Sequence, residues 1–388
     1  MRITLVTEVF PPKAGGAGWS TRALALGLKD VGHEVRVITT AEGPDGEGGV
    51  PVVRLPGVNG PFRRGRMVDT FREALRGERA ADVIHAQHSL SALGALALKD
   101  RPRVIVTVRD HWPVCFWSTR MSRGSLCPQC SIAGMSRCLK GRLPALSAPL
   151  AIPYMKWDLS SKKSALQKAD AVIAVSESIA GELRAEGISS VHVLPNIVDA
   201  FEVNAAAEEK PGVSLPDRFV LFVGKLEANK GAADLIPAFV RSNVTLPLVV
   251  LGSGSEQPAI VEAAALHSVD LVTVGWADRN DVLRAMKRTE ALIFPSTWPE
   301  PLSRVLLEAL ALGTPIAAMD TGGTSELIEE GVSGLLAHNR EELGDALARI
   351  VHDGGVRSQL REGAKARAQA FSPQALIPRY EVLYRGSR

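Results

Sequence analysis

Residues 294–315 of this chain read FPSTWPEPLSRVLLEALALGTP. The stretch follows a short apolar run and leads into the pattern of a buried helix, with Pro301 at the expected first turn. Two carboxylates, Glu300 and Glu308, lie eight residues apart. On a helix that spacing is roughly 12 Å along the axis, which is too far for an acid and a base acting on one bond. It suits the two ends of one long ligand that carries hydroxyl groups.

The first turn of this predicted helix favours a negative charge. Backbone N–H groups at the start of a helix have no partner within the helix, and the positive end of the helix dipole lies there. Residues 301–303 are therefore expected to hold phosphate oxygens between the two carboxylates. The stretch predicts a site for a long, anionic ligand.

Apolar runs alternate with helical patterns along the rest of the chain. One series begins at ITLV, residues 3–6, and a second begins at FVLFVG, residues 219–224. Continuous apolar strands separated by helices predict parallel sheet covered on both faces. Two series predict an α/β protein with two doubly wound, Rossmann-like domains facing a cleft. The polar segment 196–218 separates the series, so the domains are expected to span 1–200 and 201–372.

The composition is that of a globular protein with a substantial core, at 46% hydrophobic and 22% charged residues. A formal net charge of +3 is small for this length, so nucleic-acid binding has no support. No window approaches the roughly 18 apolar residues of a membrane span, and the start, MRITLVTEVF, lacks the pattern of a signal peptide. We therefore expect a cytoplasmic protein, in which thiols stay reduced.

A glycine-rich loop follows the first predicted strand and opens a helix. It reads PPKAGGAGWSTRALAL over residues 11–26. Gly16 and Gly18 let the backbone approach a ligand closely, and the start of the helix favours an anion. A flexible strand-to-helix turn is the alternative interpretation. Gly254, in VLGSGSE, belongs to another glycine loop at the same predicted sheet edge.

The loop after the first strand of the second series carries two lysines. It reads FVGKLEANKG over residues 222–231, with Lys225 and Lys230 flanking a short turn. In doubly wound sheets, ligands bind outside the carboxyl ends of the strands, where two ammonium groups suit a diphosphate. The alternative is a pair of solvated surface lysines, which is the usual state of this residue type.

Taken together, these segments resemble the retaining glycosyltransferases of family GT4, which have the GT-B fold. The resemblance covers nearly the whole chain and is strongest over residues 219–336. EPLSRVLLEALALGTP resembles the family's E-x7-E motif, and GKLEANKG resembles its G-R-x-x-x-x-K-G phosphate loop, with Lys225 at the arginine position.

The resemblance implies that residues 201–372 bind a nucleotide-diphosphate sugar and that residues 1–200 lie on the acceptor side. Segment 373–388 resembles the last helix of the fold, which crosses back to the first domain. Glu308 would hold ribose hydroxyls, and Glu300 would face the donor sugar. The donor-binding residues implied in this way are Glu308, Leu302, Ser303, Gly16, Gly18, Gly254, Gly275 and Trp276.

The resemblance also implies hexosyl transfer with net retention, to a glycan or a lipid-linked acceptor. The sequence lacks the D-x-D-like loop of metal-dependent transferases, so no cofactor is expected for transfer. Lys225 and Lys230 would instead stabilise the departing diphosphate. Two other functions stay open. One is a nucleotide-sugar-binding partner subunit with little catalysis of its own. The other is an epimerase or phosphorylase, whose further acid–base groups the sequence does not supply.

Residues 106–117, VTVRDHWPVCFW, depart from the family pattern. The family commonly has T-x-H-D at this strand end, and Arg109 stands where the histidine is expected. Arginine cannot act as a base but binds phosphate or carboxylate in bidentate fashion. We expect it to bind donor phosphate or acceptor, with Asp110 as its structural or substrate partner. His111 is either a catalytic residue or substrate contact, or else a packed or hydrogen-bonded residue. The expected catalytic residues are Glu300, Lys225, Lys230 and Arg109.

All four cysteines lie in one window, 115–138, with the spacing C-x11-C-x2-C-x7-C. In a reducing compartment this pattern favours metal ligation over disulfides, and C-x-x-C lets two thiolates reach one tetrahedral ion. A structural zinc is therefore expected; an iron–sulfur cluster and four ordinary thiols are the alternatives. The ligands would be Cys115, Cys127, Cys130 and Cys138.

Two stretches suggest a peripheral contact with the inner face of a membrane. Residues 61–79 carry six arginines against three acidic residues, with apolar side chains between them, and residues 139–157 are apolar with basic ends. Both patterns suit an anionic membrane surface or a polyprenyl-linked acceptor. The alternative is an ordinary amphipathic helix and an interior loop.

Overall fold

The computed structural model describes residues 1–60, 62–122, 125–127, 130–140, 142 and 148–386. Parts of the two basic and apolar stretches and of the cysteine window, and the last two residues, lie outside these ranges. The chain forms two compact units. Unit 1 consists of Met1–Ile197 and Pro373–Arg388, and unit 2 of Val198–Ser372. The contacts thus divide the chain after Ile197 and after Ser372.

Unit 1 is built on an eight-stranded sheet. The strands of unit 1 are β1 (Arg2–Thr7), β2 (Glu34–Thr39), β3 (Gly46–Glu47), β4 (Val50–Arg54), β5 (Val83–Ala86), β6 (Arg103–Val108), β7 (Met121–Ser122), β8 (Ser125–Leu126), β9 (Ala171–Ala174) and β10 (Val191–Val193). The sheet has the order β10-β9-β6-β5-β1-β2-β4-β3. It is parallel except for the β3–β4 pair, and β7 and β8 form a separate antiparallel pair. The central strands β1, β5 and β6 are buried along almost their whole length, as their continuous apolar runs predict.

Helices cover this sheet. They are α1 (Gly16–Asp30), α2 (Arg63–Leu75), α3 (Ser89–Leu96), α4 (Ile132–Leu139), α5 (Ala148–Leu166) and α6 (Glu177–Ala185). The segment between β6 and α5 has little regular structure and its own small apolar cluster, which Met135, Leu139, Met155 and Leu159 form. It contains the cysteine window.

Unit 2 has a six-stranded, wholly parallel sheet. Its strands are β11 (Val220–Val223), β12 (Leu248–Leu251), β13 (Leu271–Gly275), β14 (Ala291–Phe294), β15 (Ile316–Met319) and β16 (Leu335–Ala337), in the order β13-β12-β11-β14-β15-β16. Its helices are α7 (Ala200–Ala206), α8 (Ala232–Arg241), α9 (Gln257–Leu266), α10 (Arg279–Arg288), α11 (Arg304–Leu312), α12 (Thr324–Leu327), α13 (Arg340–His352) and α14 (Gly354–Ala368). The strand order reverses between β11 and β14, and ligands bind at the carboxyl ends of such neighbours.

The last helix, α15 (Pro373–Arg385), packs in unit 1. Tyr384 and Tyr380 are buried against His85 of β5, and the Nδ1 of His85 lies 2.7 Å from the Tyr384 hydroxyl. The other ring nitrogen of His85 lies 2.7 Å from Thr107 Oγ1 on β6. A buried polar chain therefore fastens the C-terminal helix to two central strands. None of the described helices has the length and hydropathy that crossing a bilayer requires.

Candidate functional site

The loops that follow β11 and β14 pack directly on each other. Gly231 has φ +72°, and a Cβ there would lie 1.7 Å from the carbonyl oxygen of Pro295. Only glycine fits such an approach without strain. The Trp298 N–H donates to the Asn229 carbonyl at 2.9 Å, which fixes the same two loops a second time. The lysine loop and the E-x7-E loop thus form one rigid edge.

Lys230 and Glu300 meet at this edge. The Lys230 Nζ donates to Glu300 Oε1 at 2.7 Å, and the Ser296 hydroxyl donates to the same oxygen at 2.6 Å. Lys230 Nζ also lies 4.2 Å from the centre of a Trp298 ring, within cation–π range. Glu300 is only 3% exposed. Each charge therefore holds the other in place.

The loop after β15 supports Glu300 from behind. Gly322 has φ +58°, and a Cβ there would lie 2.4 Å from the Glu300 carbonyl oxygen. The Gly323 N–H donates to that oxygen at 2.7 Å, and the Thr321 hydroxyl donates to the Ser296 carbonyl at 3.1 Å. These contacts fix the backbone at Glu300 to within a narrow range of positions.

The helix of the motif begins later than expected. Helix α11 starts at Arg304, with Ser303 as its N-cap, and the Ser303 hydroxyl accepts from the Leu306 N–H at 3.4 Å. The prediction that Pro301 lies in the first turn is wrong, because serine is a strong N-cap and the chain enters the helix only after it. Pro301 has no N–H to offer, and Leu302 is a buried side chain just before the cap.

Glu308 lies in a buried ionic cluster on α11. Its Oε1 accepts from the Nε of Arg279 at 2.9 Å and from the Nε of Arg304 at 3.0 Å, and Arg279 also reaches Glu202 on α7 at 3.1 Å. Burial lowers the pKa of Arg304, although the charge of Glu308 opposes this change. Within the described ranges, Oε2 of Glu308 accepts no hydrogen bond. One carboxylate oxygen therefore stays available to a ligand hydroxyl.

The remaining glycines of unit 2 bring strand ends close together. A Cβ on Gly252 would lie 1.8 Å from the Gly224 carbonyl oxygen, and one on Gly254 would lie 2.2 Å from the Leu226 carbonyl oxygen. The Gly252 N–H donates to the carbonyl of Gly275 at 2.7 Å. Gly254 is thus required for loop packing, and this contact by itself says nothing of a ligand.

Two predicted donor residues of unit 2 face solvent. The Lys225 side chain is 75% exposed, and its Nζ lies 3.9 Å from Glu227. Trp276 is 79% exposed and follows Gly275, which has φ +81°. Lys225 is therefore a mobile charge beside the fixed Lys230, and Trp276 presents a large apolar ring to solvent beside the end of β13.

In unit 1, the predicted phosphate loop begins α1. Gly15 is its N-cap, with no side-chain cap, and Gly16 is the first helical residue. Gly18 is buried; its N–H donates to the Gly15 carbonyl at 3.0 Å, and a Cβ there would lie 2.5 Å from that of Ala14. Gly18 therefore serves close packing, whereas Gly16 lies at the start of the helix where an anion is favoured.

Arg109 is held by neutral groups at the carboxyl edge of unit 1. Its Nε donates to Asn196 Oδ1 at 2.9 Å, and its Nη1 donates to both oxygens of Gln87, the backbone one at 3.4 Å. Asp110, expected as its partner, instead accepts from the Trp112 N–H at 2.7 Å, and burial raises the pKa of this carboxyl group.

His111 is a packed residue in this structure. It is 1% exposed, and its Nδ1 lies 2.8 Å from Glu182 Oε2 on α6. Arg120 donates to the other oxygen of Glu182. Burial would raise the pKa of Glu182, but its hydrogen bonds to His111 and Arg120 outweigh burial and lower it. Of the two states that the sequence left open for His111, this geometry corresponds to the hydrogen-bonded one.

A different histidine, which is not among the residues expected from the sequence, lies beside Arg109. His88 follows β5 and is half-buried, and its Nδ1 lies 3.0 Å from the Thr7 hydroxyl. Burial, together with the charge of Arg109, lowers the pKa of His88 to about 3, so the ring is neutral. Nearby, Glu8 Oε1 accepts from the Ser91 N–H at 2.6 Å, and burial raises the pKa of Glu8 to about 7. The sequence indicates it only by position, because His88 comes two residues after the buried run of β5.

The four cysteines are free thiols, each partly buried. They line one cavity of about 520 Å³ in unit 1. Among the residues that the structure describes, no three His, Cys, Asp or Glu side chains lie close enough to hold a metal ion. The predicted zinc site is therefore not formed in this arrangement of the thiols.

Comparison with known proteins identifies the family. Residues 14–200 match the model of Glycosyltransferase Family 4, and residues 204–367 match that of Glycosyl transferases group 1. A glycogen synthase of Mycobacterium tuberculosis is 27% identical over 95% of this chain and 88% of its own. A D-inositol 3-phosphate glycosyltransferase of Xylanimonas cellulosilytica is 26% identical over 92% and 88%. The chain belongs to the GT4-type glycosyltransferases.

Solved structures agree on the fold. HepE of Anabaena, in complex with UDP, has a TM-score of 0.71 at 18% identity over 98% of both chains. A sucrose-phosphate synthase of Thermosynechococcus elongatus has a TM-score of 0.71 at 21% identity over 99% of this chain and 98% of its own. The predicted fold class, two Rossmann-like domains of the GT-B type, is confirmed, and the protein is a glycosyltransferase.

Proposed function

We propose that this enzyme transfers a hexosyl group from a nucleotide-diphosphate sugar to a hydroxyl of a glycan or lipid-linked acceptor, with net retention. The observation that carries the proposal is the fixed Lys230–Glu300 pair at the switch point of the unit 2 sheet. A structure of the similar HepE contains UDP-glucose, and this supports the same class of donor. The donor-binding role of unit 2 rests on this analogy and on the charges there.

The proposed mechanism depends on where negative charge develops during sugar transfer. As the bond between the anomeric carbon and the phosphate oxygen breaks, negative charge grows on the diphosphate. Lys230 is fixed close to that charge, and Lys225 is free to reach it; fixed cations of this kind stabilise a transition state. The acceptor oxygen attacks from the face that the diphosphate leaves, and its proton passes to the departing phosphate oxygen. Retention then needs no protein base on the opposite face.

We assign the other donor contacts by matching the parts of a nucleotide-diphosphate sugar to the residues of the site. Oε2 of Glu308 would accept hydrogen bonds from ribose hydroxyls, and Glu300 Oε2 would accept one from the sugar. The nucleobase would pack on the exposed ring of Trp276, because aromatic rings bury large areas on flat ligands. Gly16, at the start of α1, would offer an N–H to a ligand oxygen.

No metal is proposed at the reaction centre, because the lysines provide the positive charge there. The zinc expected at the four cysteines would be structural. We further propose that the enzyme works in the cytoplasm with a peripheral contact to the membrane. The support is a groove of about 570 Å³ in unit 1, where Phe62, Tyr154 and Trp157 are exposed beside Arg64 and Lys168. Flotation with anionic and with zwitterionic vesicles tests this contact.

The test of the function is nucleotide release by the purified full-length chain. UDP-, GDP- and ADP-sugars are screened for donor binding by thermal shift, and then for nucleoside diphosphate release with glycan and lipid-linked acceptors. The anomeric configuration of the product is read by NMR. Turnover that yields a retained product supports the proposal. Donor binding without release under any acceptor would favour the binding-subunit function, and an inverted product would exclude the mechanism.

A further inference from the structure

The cysteine window is the least self-supporting part of unit 1. Between β6 and α5 the described elements are two strands of two residues each and α4, of eight residues. Among the described residues, their apolar cluster contains four buried side chains, with Phe116, Cys130, Ala151 and Ile152 partly buried against it. A segment that buries so little gains much from a cross-link, because a bound metal supplies folding free energy directly. The apolar packing described for the window therefore contributes little folding free energy, and a bound metal would add to it.

The four cysteines are the only ones in the chain, and they converge on one space. They come from separate parts of the window: Cys115 from the turn after β6, Cys127 and Cys130 from the end of the β7–β8 pair, and Cys138 from α4. All four line the same cavity, and none is in a disulfide. Residues spread over 24 positions therefore line one space, and one of them, Cys130, also packs against the apolar cluster of the segment.

N–H groups already point at three of the sulfurs. The Arg120 N–H donates to Cys115 Sγ at 3.4 Å, and a guanidinium N–H of Arg142 donates to Cys138 Sγ at the same distance. The Phe116 backbone hydrogen-bonds to Cys130. N–H donors to sulfur favour the thiolate over the thiol, and such outer-shell partners orient and tune metal ligands. Without a metal, burial outweighs these donors and raises the pKa of Cys130 to about 11 and that of Cys138 above its ordinary value, so a bound cation is what would hold the sulfurs as thiolates.

We propose that Cys115, Cys127, Cys130 and Cys138 bind one Zn²⁺ ion as thiolates. The four thiols release their protons to solvent on binding, and the ion with four thiolates carries a net charge of 2−, which Arg120 and Arg142 partly offset. Zn–S bonds are about 2.3 Å long. Since no three of these side chains are within ligating range in this structure, binding draws the cavity walls inward. Zinc suits a closed tetrahedral set of four sulfurs.

The site is independent of the sugar-transfer chemistry. Its sulfurs lie in unit 1, whereas the proposed donor contacts Lys230, Glu300 and Glu308 lie in unit 2. A failure of the zinc proposal therefore leaves the transferase proposal standing, and the reverse also holds. The zinc test has to be read from metal content and stability and not from activity.

The experiment uses the full chain purified from zinc-supplemented cells without chelators. Zinc and iron are measured by plasma mass spectrometry, and thiols are titrated with a mercurial while released zinc is followed by a chromophoric chelator. The C127S/C130S variant is compared with S131A/S136A, a matched control in the same segment that keeps all the cysteines. The wild type after Co²⁺ exchange is examined for the absorption of tetrahedral cobalt–thiolate.

We expect one zinc per chain in the wild type and in S131A/S136A, released in step with the thiols. We expect its loss in C127S/C130S and a thiolate-to-cobalt band in the exchanged protein. Chelator treatment should lower the melting temperature of the wild type and leave that of C127S/C130S unchanged. Wild-type zinc no higher than in C127S/C130S would overturn the proposal. So would iron with sulfide in place of zinc, or two disulfides in the freshly purified chain.

Discussion

The carboxyl edges of the two sheets hold their polar side chains in opposite ways. In unit 2 two buried pairs of opposite charge lie near the edge, Lys230 with Glu300 and Arg279 with Glu308. In unit 1 the guanidinium of Arg109 and the ring of His88 are held by neutral amide, carbonyl and hydroxyl groups. Paired charges can exchange a protein partner for a ligand charge, which suits a diphosphate sugar. Neutral partners suit a ligand that is recognised through hydroxyl groups.

The largest effect is expected at Glu300, the centre of the unit 2 edge. Glu300→Gln keeps the shape of the side chain but removes its negative charge. It also replaces one oxygen of the carboxylate, whose Oε1 accepts hydrogen bonds from Lys230 and Ser296, with an NH₂ group. We expect kcat for nucleotide release to fall by roughly 10²- to 10³-fold, the usual cost of losing one preorganised electrostatic contact in an active site. Steady-state kinetics with saturating donor measure it.

Glu341→Gln is the matched control for this variant, because Glu341 is an exposed carboxylate on α13 whose ion pair is with the surface residue Arg340. Its kcat should equal that of the wild type within error. A Glu300→Gln enzyme with unchanged kcat would remove the fixed pair from the proposed mechanism.

The next effect concerns stability rather than rate. Glu308→Ala leaves Arg279 and Arg304 buried without the carboxylate that they share. Breaking a buried ion pair in this way costs about 3 kcal/mol, and the KM for the donor should rise as well. Urea denaturation of the full chain measures the loss, with the exposed Glu362→Ala as control. Equal unfolding free energies in the two variants would show that the cluster contributes nothing net.

The two lysines allow a fixed charge, Lys230, to be compared with a solvent-exposed one, Lys225. Lys230→Ala removes an ammonium group that Glu300 and Trp298 hold in place, and we expect kcat to fall about 10²-fold. Lys225→Ala removes a solvated side chain, and we expect a smaller loss, about 10-fold, seen mainly in the KM for the donor. If Lys225→Ala has the larger effect on kcat, preorganisation at Lys230 is not what stabilises the leaving group.

The same contrast explains what could be predicted from the sequence. Glu300, Glu308 and Lys230 lie in spaced motifs, and the alternation of strands and helices carries them to one sheet edge, so both the fold class and the residues could be named. Their partners could not. Arg279 lies far from Glu308 along the chain and meets it only through packing of α10 on α11. No local rule of spacing gives such a contact.

The start of α11 and the histidine of unit 1 were missed for a local reason. Pro301 and Ser303 both favour the beginning of a helix, and their competition is decided by the cap hydrogen bond from Leu306. His88 has no motif of its own. Its placement depends on the pairing of β5 between β1 and β6, which brings Thr7 and Arg109 to it. Side chains positioned by neighbouring strands are visible only in three dimensions.

The smallest effect is a pH dependence at the unit 1 edge. The pKa of Glu8 is about 7 in the folded chain, because burial outweighs its hydrogen bonds to Ser91, against an ordinary value of 4.5. Between these two values the folded state binds more protons than the unfolded state, so stability falls as pH rises through the window. Glu8→Gln lacks this titration. Relative to wild type it should gain roughly 1–2 kcal/mol in unfolding free energy between pH 5 and pH 8.

Urea denaturation at these two pH values measures the gain, with the exposed Glu34→Gln as control. Glu34 lies at the start of β2, on the opposite edge of the same sheet, and its substitution should not change with pH in this way. An equal change in both variants, or none in Glu8→Gln, would mean that Glu8 is ionised at the sheet edge below neutral pH. The unit 1 edge would then carry an ionised carboxylate at Glu8, and its contrast with the paired charges of unit 2 would be weaker.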